Sequence, residues 1–210
     1  MQVCPLCFSK ASKFFTTSKR TFYQCLYCKG IFVPPVYFLS SQEEKERYQT
    51  HENDVNNVGY QKFVEPLVQQ ILKYTQPTDK GLDYGCGTGP VAAKLLRENG
   101  YDIQLYDPFF KDDKGILEKK YDFIFSCEVI EHFHKPQQEF TFLSDLLKPN
   151  GKLFCRTAIY SEKIDFENWY YKNDLTHVFF YHKKSFAYIR QKFDYKNLEI
   201  INDSIVYLEK

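Results

Sequence analysis

One stretch of the chain decides its fold: Gly81-Leu82-Asp83-Tyr84-Gly85-Cys86-Gly87-Thr88-Gly89-Pro90. A short apolar run ends in three glycines at alternate positions, and a helical pattern of apolar residues follows at once. Glycine lets a backbone turn sharply and approach a ligand closely, because it has no Cβ atom. About 20 residues beyond Gly87, a second apolar run ends in Asp107, at the spacing where a strand end offers a carboxylate to ribose hydroxyls. The turn and the acid together predict an α/β unit that binds a nucleoside.

Length and charge narrow the class of protein. The 210 residues are enough for one main domain with a small appendage. The 28 lysines and arginines nearly balance 27 acidic residues, which gives no global sign of nucleic-acid or anionic-membrane binding. No apolar run approaches the ~20 residues that cross a bilayer, and the first residues do not resemble a signal peptide. We therefore expect a cytoplasmic protein with no membrane partner.

The N-terminal residues contain two C-x2-C pairs, Cys4 with Cys7 and Cys25 with Cys28. Each pair places two thiolates on one tight turn, and four sulfurs complete a tetrahedral Zn²⁺ shell. So short a segment has too little apolar content to fold without a metal. We predict a zinc ribbon over residues 1–35, against the alternative of four unmetallated cysteines in a flexible tail. Its five basic residues and lack of acids could serve an anionic partner, although a solvated surface is the simpler interpretation.

The remaining chain divides into a helical linker or lid, residues 36–76, and a larger domain, residues 77–210. In the first part, His51, Asn53 and Tyr60 lie just upstream of the nucleoside unit and could form a lid, with an ordinary loop as the alternative. The second part alternates strand and helix patterns. It closes with two apolar runs around residues 202–204, which is a hairpin signature.

Four motifs in order over residues 82–154 resemble those of class I S-adenosylmethionine-dependent methyltransferases. They are the glycine stretch, Asp107, the run Tyr121-Asp122-Phe123-Ile124 with Glu128-Val129-Ile130-Glu131-His132, and Leu146-Leu147-Lys148-Pro149-Asn150-Gly151-Lys152-Leu153. The resemblance implies a Rossmann-like α/β fold. Its mostly parallel sheet would have seven strands and a C-terminal antiparallel hairpin, with the small zinc ribbon preceding it.

The same resemblance assigns the cofactor residues. Asp83, Gly85, Cys86, Gly87 and Gly89 would form the loop that cradles the methionine part of S-adenosylmethionine. Asp107 would hold both ribose hydroxyls, Pro108 would pack near the adenine, and Cys127 would line the site from the next strand end. A dinucleotide oxidoreductase is the structural rival, but its loop has the form G-x-G-x-x-G, which this chain lacks.

A carboxylate–histidine cluster supplies the candidate catalytic groups. Glu128, Glu131 and His132 stand at i, i+3 and i+4, so they share one face if they begin a helix. Two carboxylates and an imidazole suit Mg²⁺ or another divalent cation, and His177 could be the fourth ligand. The Glu-x-x-Glu-His pattern is similar to that of ubiquinone-pathway O-methyltransferases and of small-RNA 2′-O-methyltransferases. Without a metal, His132 and His177 are the candidate general bases.

Three functions remain open at this point. Balanced charge and the insert Trp169-Tyr170-Tyr171 favour O-methylation of a small, partly aromatic or apolar metabolite. The basic ribbon keeps an RNA methyltransferase as the alternative. A non-catalytic cofactor-binding scaffold is the third reading, and the intact glycine loop and Asp107 argue against it.

Overall fold

The computed structural model describes residues 2–50 and 54–210, so the predicted lid residues His51 and Asn53 lie outside the described residues. The strands are β1 (Gln2–Val3), β2 (Lys10–Thr16), β3 (Thr21–Cys25), β4 (Ile31–Phe32), β5 (Lys80–Tyr84), β6 (Asp102–Tyr106), β7 (Tyr121–Cys127), β8 (Leu147–Arg156), β9 (Phe179–Phe180), β10 (Asn197–Ile201) and β11 (Ile205–Glu209). The α-helices are α1 (Ser41–Gln49), α2 (Val58–Tyr74), α3 (Val91–Glu98), α4 (Pro136–Leu146) and α5 (Lys183–Lys192). Short 3₁₀ helices cover Pro35–Tyr37, Lys114–Glu118, Ile130–His132 and Tyr170–Asn173.

The larger sheet has the strand order β10-β11-β8-β7-β5-β6. Its centre is parallel, since β5 pairs with both β6 and β7, and β7 pairs with β8. Strands β10 and β11 form the antiparallel hairpin that the sequence predicts. The chain leaves β5 for one neighbour, β6, and then crosses back to the other, β7. An open parallel sheet binds ligands at such a reversal, beyond the carboxyl ends of the strands.

The predicted number of seven strands is wrong for this sheet, which has six strands among the described residues. Strand β6 lies at the edge of the sheet, and the chain between β6 and β7 adds no strand beside it. Residues 107–120 contain only a turn after Asp107 and the 3₁₀ helix Lys114–Glu118. A crossover between parallel strands alone needs a dozen or more residues, so this segment is too short to add a strand and return.

Helices cover both faces of the sheet. The amphipathic helix α2 buries Val64, Leu67, Val68 and Ile71. Together with the apolar face of α3 and one side of the strands, these residues form one core. Residues of α4 and α5 form a second core on the opposite side. The sheet is thus a buried central layer, as its mostly apolar parallel strands require.

The smaller sheet has the order β1-β2-β3-β4-β9 and is antiparallel throughout. Four of its strands come from the N-terminal segment, but β9 follows His177 by two residues. The approach is close, because a Cβ atom on Gly30 would lie 2.4 Å from the Phe179 ring. The Ser185 hydroxyl also donates to the Cys28 carbonyl at 2.9 Å. The smaller sheet therefore runs across the predicted boundary at residue 35.

Within the described parts of the chain, no helix is both long and apolar enough to cross a membrane.

Candidate active site

The glycine loop lies between the end of β5 and the start of α3. Gly85 and Gly87 have φ angles of +87° and +59°, which residues other than glycine rarely adopt. A Cβ atom on Gly85 would lie 2.6 Å from the Val129 methyl groups. The amides of Gly85 and Cys86 donate to the Tyr106 carbonyl at 2.8 and 3.1 Å. These bonds fix the loop to the end of the neighbouring strand β6.

Asp107 follows β6 and holds the same loop from its other side. Its Oδ2 accepts the Gly87 amide at 3.0 Å. Its Oδ1 accepts the amides of Phe109 and Phe110 at 2.8 and 3.1 Å. A carboxylate has about four lone-pair sites, so capacity remains for ligand hydroxyls. The sequence predicts the ligand role of Asp107 but not this second role as the anchor of the glycine loop.

The loop and Asp107 form one side of a cavity of about 950 Å³. This is the size of a typical small-molecule site. All eight predicted cofactor residues line it, namely Asp83, Gly85, Cys86, Gly87, Gly89, Asp107, Pro108 and Cys127. We refer to these eight residues as the cofactor side.

Asp83 gives the cofactor side an unusual electrostatic character. The residue is 4% exposed. Burial, and then the charge of Asp107, raise the pKa of Asp83 to about 8. An aspartic acid held in this way carries a proton at neutral pH until a cation enters the cavity and favours the carboxylate. The arrangement suits a ligand that is both a nucleoside and positively charged.

Across the cavity lie His132 and His177, with ring centroids 4.8 Å apart. His132 Nδ1 lies 3.0 Å from the Thr176 carbonyl oxygen, and His177 Nδ1 lies 2.8 Å from the Tyr171 carbonyl oxygen. A carbonyl only accepts, so these contacts assign the hydrogen of each ring to Nδ1. Each Nε2 therefore keeps its lone pair for a proton or a cation.

Burial keeps both rings neutral. It lowers the pKa of His132, and it lowers the pKa of His177 to about 3, with the neighbouring His132 adding to the second effect. A neutral imidazole is the form that binds metals. At a pKa of about 3, His177 is a weak proton acceptor. Its ring is therefore better suited to bind a cation or to position the acceptor than to act as a general base.

The two carboxylates of the cluster are joined through Tyr171. The Tyr171 hydroxyl contacts Glu131 Oε1 and lies 3.0 Å from Glu128 Oε2. Burial raises the pKa of both carboxyl groups, and the charge of Glu131 raises that of Glu128 further. Glu131 is fully buried, and its Oε2 has no hydrogen-bond partner. A buried carboxylate oxygen without a partner is costly, and a proton, a cation or a donor group would offset that cost.

Three groups meet closely enough to share one cation. The ligand atoms of Glu131, His132 and His177 lie within 4.8 Å of one another. The backbone carbonyls that accept both Nδ1 hydrogens match the second shell typical of metal-bound histidines. Glu128 stands apart from this group, because it precedes the 3₁₀ helix with φ +53° and its Oε1 lies 3.9 Å from Arg156 Nε. The predicted single helical face for Glu128, Glu131 and His132 is therefore not formed.

The four N-terminal cysteines also meet. The Sγ atoms of Cys4 and Cys28 are 3.7 Å apart, and those of Cys7 and Cys25 are 3.4 Å apart. These distances are far too long for disulfides. They approach the edge of about 3.8 Å that a tetrahedron with 2.3 Å Zn–S bonds requires. The donor set fits Zn²⁺.

Helix α1, which lies within the predicted linker or lid of residues 36–76, lines the cavity beside the histidines. Its Arg47 pairs with Asp174 at 2.7 Å, and its Glu44 lies 2.9 Å from His134 Nε2. The Tyr48 ring centroid lies 5.2 Å from that of His132. Tyr60, the described residue of the predicted lid, lines the same cavity. We refer to α1, residues 128–132 and residues 170–177 as the acceptor side.

Comparison with known proteins agrees with this geometry. Residues 58–200 match the model of a family described as "Methyltransferase domain". Curated proteins give no significant match.

Solved structures share the fold. One is 1,6-didemethyltoxoflavin-N1-methyltransferase from Burkholderia thailandensis with 1,6-didemethyltoxoflavin and S-adenosylhomocysteine bound. Its TM-score is 0.58 at 12% identity, and the match covers 95% of this chain and 99% of that one. An O-methyltransferase family protein from the same organism gives TM-score 0.57 at 11% identity, covering 80% of this chain and 62% of that one. Human N-acetylserotonin methyltransferase in complex with S-adenosylmethionine gives a TM-score of 0.54 at 10% sequence identity. That match covers 81% of this chain and 56% of the human protein.

The chain thus spans less than two thirds of the last two proteins. At these identities the likeness is one of fold, while the family match covers most of the chain. The chain belongs to the methyltransferase domain family, which confirms the predicted class of enzyme, an S-adenosylmethionine-dependent methyltransferase.

Proposed function

We propose that the chain transfers the methyl group of S-adenosylmethionine to an oxygen atom of a small metabolite. One observation carries the proposal: the ligand atoms of Glu131, His132 and His177 lie within 4.8 Å of one another, and both histidines line the cavity across from the cofactor side. Such groups suit an oxygen nucleophile, because a hydroxyl must lose its proton to become a strong nucleophile.

The cofactor side provides alignment. When bound, S-adenosylmethionine supplies an activated methyl group on a cationic sulfonium. The glycine loop holds the methionine part, Asp107 the ribose hydroxyls, and Pro108 the adenine, with Cys86 and Cys127 at the edges. The Asp83 carboxylate offsets the positive charge. Direct displacement needs the two reactants in line, and this orientation is a large part of the catalytic effect.

The acceptor side provides activation. We assign Glu131, His132 and His177 as ligands of a divalent cation such as Mg²⁺ or Mn²⁺, with Glu128 next to them. A cation held by these residues would supply Lewis-acid polarisation of the acceptor hydroxyl, which would lower the pKa of that hydroxyl. Without a cation, His132 Nε2 is the group placed to take the proton, and the Thr176 carbonyl supports the resulting imidazolium through Nδ1. The likeness to ubiquinone-pathway O-methyltransferases rests on the Glu-x-x-Glu-His pattern and remains part of the proposal.

The N-terminal segment is proposed to be a structural zinc ribbon, with Cys4, Cys7, Cys25 and Cys28 as ligands. Two details of the backbone support this. Phe8 and Lys29, each directly after the second cysteine of its pair, have φ angles of +56° and +60°. The Cys28 amide lies 3.4 Å from Cys25 Sγ, at donor distance to a ligand sulfur. The division into residues 1–35, 36–76 and 77–210 remains a proposal with it.

The placement of a basic side chain of the ribbon favours a small acceptor over RNA. Of its five basic residues, Arg20 is 3% exposed and contacts the interior of the chain. The cavity is also lined by aromatic rings, among them Phe63, Phe109 and Tyr171. The Burkholderia toxoflavin-pathway relative has a small molecule bound.

A labelled methyl group tests the function. Zinc-loaded protein receives S-adenosylmethionine with a labelled methyl, together with either a small-molecule extract or an RNA extract. We expect label in the small-molecule fraction, in an O-methyl product by mass spectrometry, and a loss of about 10²–10⁴-fold for His132→Ala. Label in RNA would favour the alternative function, and label in neither fraction would contradict both.

Manganese binding tests the cation site. Mn²⁺ is titrated into the zinc-loaded protein and followed by electron paramagnetic resonance. We expect one site that Glu131→Gln abolishes and that Glu118→Gln, an exposed control glutamate, leaves intact. A wild-type protein without bound Mn²⁺, or an unaffected Glu131→Gln variant, would remove the cation from the proposal.

A further inference from the structure

One arginine of the N-terminal segment, Arg20, reaches the loop that carries His177. Arg20 stands in the turn between β2 and β3, which Thr17 closes: the Arg20 amide donates to the Thr17 hydroxyl at 3.1 Å, and the Thr17 amide donates to the Arg20 carbonyl at 3.0 Å. Strand β3 begins at the next residue and ends at Cys25, one of the proposed zinc ligands. The backbone position of Arg20 is therefore set by the ribbon.

The side chain of Arg20 leaves the ribbon and enters the loop of residues 172–177. Nη1 donates to the carbonyls of Leu175 and His177 at 3.2 and 2.9 Å. Nη2 donates to the carbonyl of Asp174 at 2.6 Å and to that of Lys172. The Arg20 guanidinium carbon also lies 5.0 Å from the Phe22 ring centroid. A planar fork of donors suits four converging carbonyls in a way that a lysine cannot reproduce.

Two backbone carbonyls that Arg20 does not contact orient the histidines. Within residues 171–177, the Tyr171 carbonyl accepts His177 Nδ1 and the Thr176 carbonyl accepts His132 Nδ1. Arg20 takes the carbonyls around them. We propose that Arg20 is a positioning residue, which holds this loop so that both histidines keep Nδ1–H and direct Nε2 into the cavity. The inference rests on the proposed function of those histidines.

The ribbon and the loop share a core, which explains why the loop needs this support. Phe22, Ile31 and Val33 of the N-terminal segment pack with Phe166, Tyr171 and Phe180 in one cluster. Strand β9, just after His177, also pairs with β4. The bracing of residues 172–177 comes from the ribbon through Arg20 and from α1 through the Arg47–Asp174 pair. The zinc segment thus completes the acceptor side.

The test compares Arg20→Met, Arg20→Lys and the control Lys19→Met, which alters the adjacent exposed side chain. Ring ¹⁵N chemical shifts of His132 and His177 are measured on the full-length zinc-loaded protein, and S-adenosylhomocysteine affinity by calorimetry. In wild type and Lys19→Met we expect the Nδ1–H form of both rings. Arg20→Met should move them toward Nε2–H, Arg20→Lys should recover part of the shift, and the affinity should stay within about twofold, because the cofactor side is separate.

Unchanged tautomers in folded Arg20→Met, or Nε2–H rings in wild type, would overturn the inference. If Arg20→Met does not fold, the ring tautomers are measured in Arg20→Lys instead. A partial move toward Nε2–H supports the inference, and unchanged tautomers overturn it. The proposed function fails separately. In that case, the wild-type protein lacks methyl transfer to small molecules, while the ring shifts still respond to Arg20.

Discussion

The buried carboxyl group of Asp83 should make cofactor binding depend strongly on pH. Asp83 lies in β5 and lines the cofactor side. Its pKa in the free protein is about 8, because the group is buried and lies near the charge of Asp107. S-adenosylmethionine brings a sulfonium, and an opposite charge nearby favours the ionised carboxylate. Binding should therefore release a proton below about pH 8.

The magnitude follows from that pKa. Below about pH 8 the affinity should rise up to tenfold for each pH unit, because the carboxyl must ionise before it can pair with the cation. At about pH 6.5 the affinity should be about 30-fold below its plateau, or about 2 kcal/mol. The unliganded protein should show the opposite trend. An acid whose pKa is raised on folding contributes most stability when protonated, and this contribution is lost as pH rises toward about 8.

Calorimetry at several pH values, in buffers with different ionisation enthalpies, measures both the affinity and the number of protons released. Asp83→Asn should flatten the profile. Asp102→Asn, a control at an exposed aspartate in the adjacent strand β6, should retain it. S-adenosylhomocysteine, which lacks the sulfonium charge, should show a shallower dependence. An affinity that is flat with pH, proton uptake on binding, or a slope that persists in Asp83→Asn would refute the reasoning.

Three further outcomes are expected. Asp107→Asn should lower the free energy of unfolding by about 1–3 kcal/mol and weaken cofactor binding, because an amide nitrogen would face a backbone N–H. Urea unfolding measures the first effect and calorimetry the second, and an unchanged variant would contradict the anchoring role. Gly85→Ala should lower the free energy of unfolding by about 1–3 kcal/mol through backbone strain and further through contact of the new methyl group with Val129. Adding Val129→Ala removes only the contact, so urea unfolding should show that it restores only part of the lost stability. Zinc removal by a chelator should accelerate amide exchange in β2, β3 and β9 and leave β5 protected; uniform exchange rates before and after would argue against a structural metal.

The central part of the fold could be predicted because local pattern and tertiary role agree there. The C-terminal hairpin around residues 202–204 forms as predicted, with β10 and β11 on either side, because two apolar runs flank a clear turn signal. The glycine loop and Asp107 were found from spacing alone, because the ends of adjacent parallel strands bring them together.

The predicted count of seven strands is wrong because the chain between β6 and β7 is too short to form a further strand. Residues 107–120 are visible in the sequence as a short polar connection, and the structure contains only one 3₁₀ helix there. The face shared by Glu128, Glu131 and His132 failed for a different reason. It assumed an α-helix, whereas the backbone at Glu128 is left-handed and only Ile130–His132 is helical.

The contacts that build the acceptor side had no signal in the sequence. Arg20 reaches carbonyls about 150 positions along the chain, and Tyr171 joins two glutamates about 40 positions before it. Neither contact follows a helical or strand period, and an arginine in a basic ribbon suggests a surface role. Only the tertiary structure shows that this charge is used internally.

The two sides of the cavity are built differently, and this has a consequence for specificity. The cofactor side comes from one continuous part of the chain, residues 83–127, in which hydrogen bonds tie the glycine loop to Tyr106 and Asp107. The acceptor side joins α1, residues 128–132 and residues 170–177, and depends on the ribbon through Arg20. Side chains that are far apart and share no partners act nearly independently. We therefore expect changes in residues 170–177 to alter the acceptor more than the methyl donor site, and the proposed positioning by Arg20 to reach catalysis through the acceptor side.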